Sequence, residues 1–538
     1  MLRGVRGGGV GGAGGAATQA QGCGQAFRWA GGTPSGSEGR VGATRAPDTG
    51  PDRCPRPTVT DVNNLPPVVT LGEPRLTAGF DDHARLDRRA HLAVHGTAPR
   101  LSATELVSLA EATALRGRGG AGFPFARKLH ALGKGVPAVV VNGCEGEPAC
   151  RKDAVLLCRA PHLVLDGALL AAEALGARTL VVGVTQDATE ASVRDALAER
   201  GLADRRGRPL RARVVRLPER MVSGESSALL RAADGGPALP AGRRVHAAVQ
   251  GLGGAPTLLS NTETFAQLAL AARRGAVGTL LLTLSGAIPQ PRVAEAPDGV
   301  PLPYVLQQCG AEPVPQGVLV GGYHGLWLGA ERVPGAVLSY GTPGAGAVLP
   351  LPAATCPLGE TVRVAHWLAA ESAGQCGPCR LGLPALAGAL TDVLAGGGQS
   401  ALEAVRDAAR AVHGRGACGH PDGAARFLLS SLAAFTDDLA AHVLGSGCGR
   451  GTAGVLPLPR TAGPAPAAGE RLAVDWTLCE GHGLCADLLP QLVRLGPDGY
   501  PSLADAAVPA HLRVRAQRAV RRCPALALRL EGPAAGKR

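Results

Sequence analysis

Six cysteines in two sets constrain this chain more than any other feature of its sequence. Cys376 and Cys379 stand in ESAGQCGPCR, and Cys418 follows Cys379 by 39 residues; Cys479 and Cys485 close the loop CEGHGLC, and Cys523, in a Cys-Pro pair, follows Cys485 by 38. If each set converges on one inorganic centre, the intervening chain must fold back on itself, and each set then fixes the closure of one module. A tight cysteine loop completed by a distant cysteine is a way to supply thiolates to an iron–sulfur cluster. Buried thiols without a role are the plain alternative. Zinc is a second candidate for the C-terminal set, although structural zinc sites usually show two paired knuckles.

Fourteen cysteines in a chain of 538 residues, clustered late, read as metal or redox ligands rather than disulfides, provided the compartment is reducing. No apolar run approaches the ~20 residues of a membrane helix, and MLRGVRGGGVGGAGGA has no apolar signal core. The expectation is a cytoplasmic protein without direct membrane insertion. A net charge of +12 admits an acidic partner, but the arginines are scattered and only 3% of residues are aromatic, which speaks against a nucleic-acid surface.

The texture changes along the chain and predicts a multidomain α/β protein. Residues 1–62 form a Gly-rich extension without periodic apolar positions, expected to be disordered. In 63–277, AVVVNG and TLVVGVTQ flank the helical run HLVLDGALLAAEALG, the strand–helix–strand order of a parallel sheet. Residues 278–352 hold short strands such as TLLLTLSGAI and GVLVGGYHGLWL, a small β-rich module. Residues 353–446 give four amphipathic runs, a helical bundle, and 447–470 are a Pro/Ala/Gly linker. Residues 471–538 are a compact last module with α+β signals.

That last module, from Arg471 to Glu531, resembles small bacterial ferredoxins of the three-cysteine type. The resemblance implies Cys479, Cys485 and Cys523 as ligands, with His482 where such loops often carry another cysteine. A 3Fe-4S cluster is the favoured form; a 4Fe-4S cluster with His482 as fourth ligand stays open.

RGRGGAGF, Arg116 to Phe123, is a glycine loop with Lys128 downstream. Such loops let backbone N–H groups approach phosphate oxygens, yet in a chain with 78 glycines one loop alone says little. NGCEGEP, SGESSAL, GLGGAPT and SNTETFA follow it in order. Together the five motifs resemble the 51-kDa flavoprotein subunit of NADH:quinone oxidoreductase (complex I), its F subunit, and relatives in NAD-linked hydrogenases and formate dehydrogenases. The resemblance runs from about residue 105 to residue 444 and implies a Rossmann-like FMN domain, a soluble-ligand-binding β-grasp module and a helical iron–sulfur bundle. It implies that Gly117, Gly119, Gly120, Gly122 and Phe123 cradle FMN, with Lys128 and Asn261 near its phosphate and polar edge. Asn142, Glu145, Glu147, Gly224 and Glu225 match further positions around the flavin.

Several positions depart from that family. Cys144 stands where Asp is usual, Met221 where an aromatic is usual, and Ser226 where a second Glu is usual; Arg243 and His246 occupy Lys and Phe positions. The Glu and Phe help hold NADH in the family, so FMN is better supported than NADH. In the bundle, Cys376, Cys379 and Cys418 match three ligands of a 4Fe-4S site, while Ala373 replaces the first cysteine. A 4Fe-4S cluster, a 3Fe-4S cluster or a lost cluster follow as alternatives, with Cys356 and Cys448 as possible substitute ligands. The expected activity is a flavin and iron–sulfur oxidoreductase moving electrons between NADH, FMN, the clusters and a ferredoxin-linked acceptor, with no catalytic residues beyond those that hold cofactors. A carrier that never uses NAD(H) is the alternative. Expected partners are electron donor or acceptor proteins, such as other redox subunits or a cytochrome P450.

Overall fold

The structure is a computed structural model and describes residues 65–531 except 134, 203–208, 243, 244, 343, 460–470, 504–507 and 509–511. The expected Gly-rich extension, Arg243 and the second half of the expected linker lie outside the described residues.

AVVVNG forms the strand Ala138–Gly143, buried along nearly its whole length, as a strand covered on both faces by helices must be. It sits inside a four-stranded sheet in the order Arg211–Arg216, Thr179–Val184, Ala138–Gly143, Thr257–Asn261, and every pairing is parallel. The chain runs outward from Ala138–Gly143 in one direction, then returns to add Thr257–Asn261 on the other side. The strand order therefore reverses between Ala138–Gly143 and Thr257–Asn261, where the carboxyl ends of open α/β sheets leave a crevice. Helices Pro161–Leu175 and Thr262–Arg274 cover the sheet and supply much of the core, including Leu163, Val164, Phe265 and Leu268.

A second, mixed sheet has six strands: Val68–Thr70, Arg292–Pro297, Thr279–Leu284, Ala347–Leu351, Gly317–Val320 and Leu326–Gly329. Its edge strand Val68–Thr70 comes from the segment assigned by sequence to the flavin unit, and pairs in parallel with Val293–Glu295. Glu295 explains the attachment. Its fully buried carboxylate accepts the backbone N–H groups of Arg75, Leu76 and Thr77 and the hydroxyls of Thr77 and Thr279. A buried carboxylate so well satisfied fixes the incoming chain to the sheet.

Among the described residues the helical region has five helices: Pro357–Ala370, Leu383–Leu394, Gly398–Val412, His420–Ala434 and Thr436–Val443. The sequence pattern gives four, because apolar periodicity runs unbroken through AAFTDDLAAHV. Phe435 breaks it. Its backbone leaves helical geometry (φ −124°, ψ 56°) as its ring packs edge-on to Trp327, with centroids 5.2 Å apart.

The described part of the expected linker is not a free linker. Glu360 accepts the N–H groups of Gly454, Val455 and Leu456 at 2.6, 3.0 and 3.2 Å, and Leu456 is fully buried. Composition hid this strap, since its apolar residues VLPL are diluted by Gly and Pro. The C-terminal module pairs Arg471–Val474 antiparallel with Leu528–Glu531 and adds the hairpin Val493–Leu495 with Pro501–Leu503. Its helix Arg513–Arg522 ends at Cys523. Among the described residues no single helix is long and apolar enough to cross a membrane.

Candidate functional site

Asn142, next to last in its strand, and Asn261, last in its own, lie on either side of the order reversal and pair in register. A cavity of about 600 Å³ opens there, bordered by Gly119 and Gly120, by Asn142, Glu145 and Glu147, by Gly224 and Glu225, and by Asn261. Cys418, Gly419 and His420 of the helical region form another part of the same wall.

The glycine loop reaches the cavity through its middle. Gly117 N–H donates to Phe123 O at 2.8 Å and closes the loop, so Gly117, Gly122 and Phe123 form its stem rather than the cavity wall. Gly120, at φ +106°, accepts from Gly344 N–H at 2.9 Å, a backbone approach that L side chains rarely permit.

Three of the implicated side chains cap helices that begin at the cavity. Glu145 accepts Asp153 and Ala154 N–H at 2.9 and 2.8 Å in the first turn of Lys152–Arg159. Glu225 accepts Ser227 and Ala228 N–H at 2.9 and 3.0 Å at the start of Ser226–Ala233, and Asn261 accepts Glu263 N–H at 3.0 Å at the start of Thr262–Arg274. Helix N-termini carry partial positive charge, but the carboxylates of Glu145 and Glu225 already occupy two of these three, and only the start of Thr262–Arg274 has a neutral cap, Asn261. Asn142 joins the strand end to the opposite wall by donating to Gly224 O at 2.9 Å. Glu147 accepts Tyr323 N–H at 2.6 Å, but burial, helped by the nearby charge of Glu145, pushes its carboxyl up to about 8.

Lys128 does not line the cavity. Its ammonium donates to Leu259 O at 2.7 Å, and burial pulls it down to about 8. The lysine at the wall is Lys152, which sequence reading passed over. Its ammonium lies 2.8 Å from Asp153 and 3.0 Å from Glu263, and Glu263 in turn pairs with Arg118 at 3.1 Å. Burial alone would lower Lys152, but the carboxylates of Asp153 and Glu263 outweigh it and hold the ammonium above its ordinary range. Burial likewise pushes Asp153 up to about 7 against the pull of Lys152. The cluster was discoverable, because Arg118, Lys152, Asp153 and Glu263 lie inside or within a few residues of the five motifs.

Of the positions that depart from the family pattern, Cys144, Met221 and Ser226 line the cavity, whereas His246 is exposed and does not. Met221 also links the cavity to the cysteine loop: its N–H donates to Glu371 at 2.9 Å, and neighbouring Arg220 donates to Ser372 O at 3.1 Å. A Cβ on Gly146 would lie 1.8 Å from Arg220 O, so that layer has no room for a side chain.

In the cysteine loop, Cys376 Sγ and Cys379 Sγ are 3.4 Å apart. Ala417 N–H reaches Cys376 and Gly374 N–H reaches Cys379, which brings the Cys418 segment and the Ala373 position to the same place. Burial pushes the Cys379 thiol up to about 11, with Cys376 and Cys418 adding to the effect. A cation-rich centre would relieve that repulsion, and the N–H groups aimed at sulfur suit thiolate ligands, so the residues present fit an iron–sulfur cluster. A π-helical turn at Pro378–Gly382 carries Cys379. Cys356 is no substitute ligand here. It caps the start of Pro357–Ala370, whose fourteen residues span about 21 Å before the cysteine loop begins. Cys448 lies beside Cys356, not in the loop.

In the C-terminal module Cys479, Cys485 and Cys523 are each half-buried, and burial raises Cys485 with the other two thiols contributing. His482 is partly exposed, its Nε2 3.8 Å from Glu480, between Gly481 and Gly483 in left-handed backbone.

Comparison with known proteins agrees with this geometry. Residues 110–270 match the family described as the Nuo51 FMN-binding domain, 360–442 the NADH-ubiquinone oxidoreductase-F iron-sulfur binding region, and 472–530 a 4Fe-4S single cluster domain. The F subunit of NADH-quinone oxidoreductase in Streptomyces coelicolor is 32% identical over 384 residues, 64% of this chain and 84% of that one. The chain belongs to the F-subunit family. A second F subunit, that of Rhizobium meliloti numbered 2, is 29% identical, over 63% of this chain and 89% of its own. Among solved structures, an NAD+-reducing [NiFe]-hydrogenase in the H2-reduced state has a TM-score of 0.62 at 26% identity, covering 70% of this chain and 68% of that one. As a member of that family the chain is a flavin and iron–sulfur oxidoreductase, and its cavity fits FMN: the volume is ample for a cofactor, Gly119 and Gly120 keep part of one wall free of side chains, and Asn142, Asn261, Arg118 and Lys152 stand in its lining as polar partners.

Proposed function

We propose that this chain is an NADH-oxidising flavoprotein that holds FMN in the 600 Å³ cavity and delivers electrons to iron–sulfur centres in the helical region and the C-terminal domain. The observation that carries this reading is the shared wall: Gly119 and Gly120 of the glycine loop and Cys418 of the cysteine loop border one cavity. Bound FMN supplies the conversion between a two-electron hydride donor and one-electron acceptors.

The protein's part is position and charge. Gly119 and Gly120 leave space for the cofactor, the Asn261-capped start of Thr262–Arg274 favours its phosphate, and Arg118 and Lys152 stand in the cavity lining with Asp153 and Glu263 balancing their charge. Cys376, Cys379 and Cys418 hold the first cluster and Cys479, Cys485 and Cys523 the second, with His482 the candidate fourth ligand there. The same reading divides the chain into an FMN domain (63–277), a β-grasp module (278–352), an iron–sulfur bundle (353–446) and a ferredoxin domain (471–538). Exposed Trp476, Leu478, Leu484 and Leu526 around the second cysteine set suit it for exchange with another redox subunit. A cytochrome P450 as acceptor has no support among the relatives.

A second reading, a carrier that never uses NAD(H), is favoured by two residues: Ser226 lacks a carboxylate, and His246 lies off the cavity wall. An anaerobic NADH titration followed at the flavin band separates the two. Bleaching at stoichiometric NADH supports the first; a flavin reduced only by dithionite leaves the second.

A further inference from the structure

Cys356, His442 and Cys448 belong to neither cysteine set, yet their ligand atoms all lie within 4.8 Å of one another. They arrive from three separate places. Cys356 caps the helix Pro357–Ala370, its Sγ accepting Gly359 N–H at 3.3 Å; His442 is in the last turn of Thr436–Val443; Cys448 opens the strap that Glu360 pins. Cys356 and His442 are buried and Cys448 is half-buried.

The spacing is that of a single ion rather than a cluster. Ligands about 2.3 Å (sulfur) and 2.0 Å (imidazole) from a tetrahedral zinc lie about 3.5 Å apart. Cys356 Sγ and His442 Nε2 are 3.4 Å apart. Two thiolates would balance a dication, and the mixture of sulfur and imidazole suits a borderline-soft metal.

We propose that Cys356, His442 and Cys448 bind one thiophilic divalent cation of the zinc class, with water in the fourth position, and that this ion fastens the strap 448–457 to the helical region. Binding replaces the thiol protons with metal–sulfur bonds and releases those protons to solvent, with no redox change. The ion acts at a joint. The strap is the last described segment before residue 460, and the C-terminal domain follows it in sequence, so the site stiffens the exit from the bundle while leaving the flavin cavity and both cysteine sets untouched.

The test uses the full chain with its flavin and iron sites filled. Elemental analysis is expected to find about one zinc per chain, and zinc-edge X-ray absorption a shell of two sulfurs near 2.3 Å and one imidazole nitrogen near 2.0 Å. Cys448→Ala should lose that zinc while flavin and iron contents stay unchanged, and proteolysis near residue 450 should become faster. Should the variant fail to fold, the wild-type absorption shell decides alone. The proposal is overturned by a wild-type protein without zinc, by a sulfur-only shell that places zinc in an iron site, by zinc retained in both Cys448→Ala and His442→Ala, or by recovery of Cys356 and Cys448 as a disulfide.

Discussion

The two cysteine sets solve one problem, three thiols gathered across gaps of 39 and 38 residues, at different depths. In the helical region Cys379 and Cys418 are 3% and 5% exposed, and their loop is tied through Glu371 and Ser372 to the wall of the flavin cavity. In the C-terminal domain all three cysteines are half-buried, and Trp476 and Leu526, at 60% and 72% exposed, stand close to them in sequence. Leu526 is also one of two described non-glycine residues with positive φ, +52°, two residues after the Cys-Pro pair. Cys376 is half-buried like the C-terminal three, so the contrast rests on Cys379 and Cys418: the first set is the more deeply buried and borders the flavin cavity through Cys418, while the second lies nearer solvent. Burial and N–H bonds to sulfur tune a cluster's potential, so the two centres should differ in potential as well as in place.

The largest effect should come from the inward site. Cys418→Ser removes a buried ligand and one element of the cavity wall; iron at the helical site should be lost, and electron transfer from NADH to the C-terminal cluster should fall by about a hundredfold or more, equivalent to roughly 2.7 kcal/mol on the barrier. Stopped-flow absorbance would check this. Cys523→Ser should instead abolish the outer cluster while NADH still bleaches the flavin at an unchanged rate. If Cys523→Ser slowed flavin reduction by NADH, or if Cys418→Ser left electron transfer to the C-terminal cluster intact, the inward and outward assignment would fail.

Much of this arrangement was readable in the sequence, and the misses share a cause. Asn142, Glu145, Glu225 and Asn261 could be picked out because each stands in one of the five ordered motifs that carry the family resemblance, and Glu225 and Asn261 also hold the N-cap positions of their helices. Lys152 was missed because its importance depends on Glu263, 111 residues away, and Lys128 was chosen because a lysine after a glycine loop looks like a phosphate ligand. The strap at 448–457 read as linker since its partner, Glu360, is a side chain far upstream. Phe435 interrupts a periodic run because the pull on it comes from Trp327. Local rules gave the elements, while the partners that redirected them are long-range.

The two regions should also respond differently to pH. Glu147, walled in beside the cavity, has a folded-state value near 8 against an ordinary 4.5, caused first by burial. The folded protein thus holds a proton that the unfolded chain releases, so the contribution of Glu147 to stability should fall as pH rises from about 4.5 through about 8, at no more than about 1.4 kcal/mol per unit, while His95 and His162, pulled down by burial to about 3 and about 4, add stability in the opposite sense up to about 6.5. Glu147→Gln should remove that contribution in calorimetric melts, so that stability falls less, or rises more, with pH than in the wild type. The C-terminal domain, whose half-buried Asp475 is held low by its Thr477 hydrogen bonds, should show no such loss over the same window. A slope unchanged in Glu147→Gln would assign the effect to another group.

Ala373→Cys sharpens the contrast from the ligand side. It places a fourth thiol next to Gly374, whose N–H already reaches Cys379, and completes a Cys₄ set. The electron paramagnetic resonance signal of the inner cluster should change while that of the outer cluster stays the same. Identical spectra would show that Ala373 does not stand at the cluster.

The smallest expected effect lies upstream of both clusters. Ser226 opens the helix Ser226–Ala233 and lines the cavity, so Ser226→Glu sets a carboxylate where a nucleotide ribose could donate to it. Two terms oppose each other. A negative charge in the first turn is favourable to the helix by about 0.3–1 kcal/mol, but Glu225 is adjacent and already bound to Ser227 and Ala228 N–H, so repulsion takes part of that back. What remains is one hydrogen bond to ligand, about 1 kcal/mol, or a several-fold lower KM for NADH with kcat nearly unchanged. The gain should be equal whether electrons are collected by a small oxidant at the flavin or at the outer cluster, because the substitution precedes the point at which inward and outward sites diverge. A gain confined to one assay would mean that Ser226 acts on the route between centres, and an unchanged KM in both would favour the carrier that does not use NAD(H).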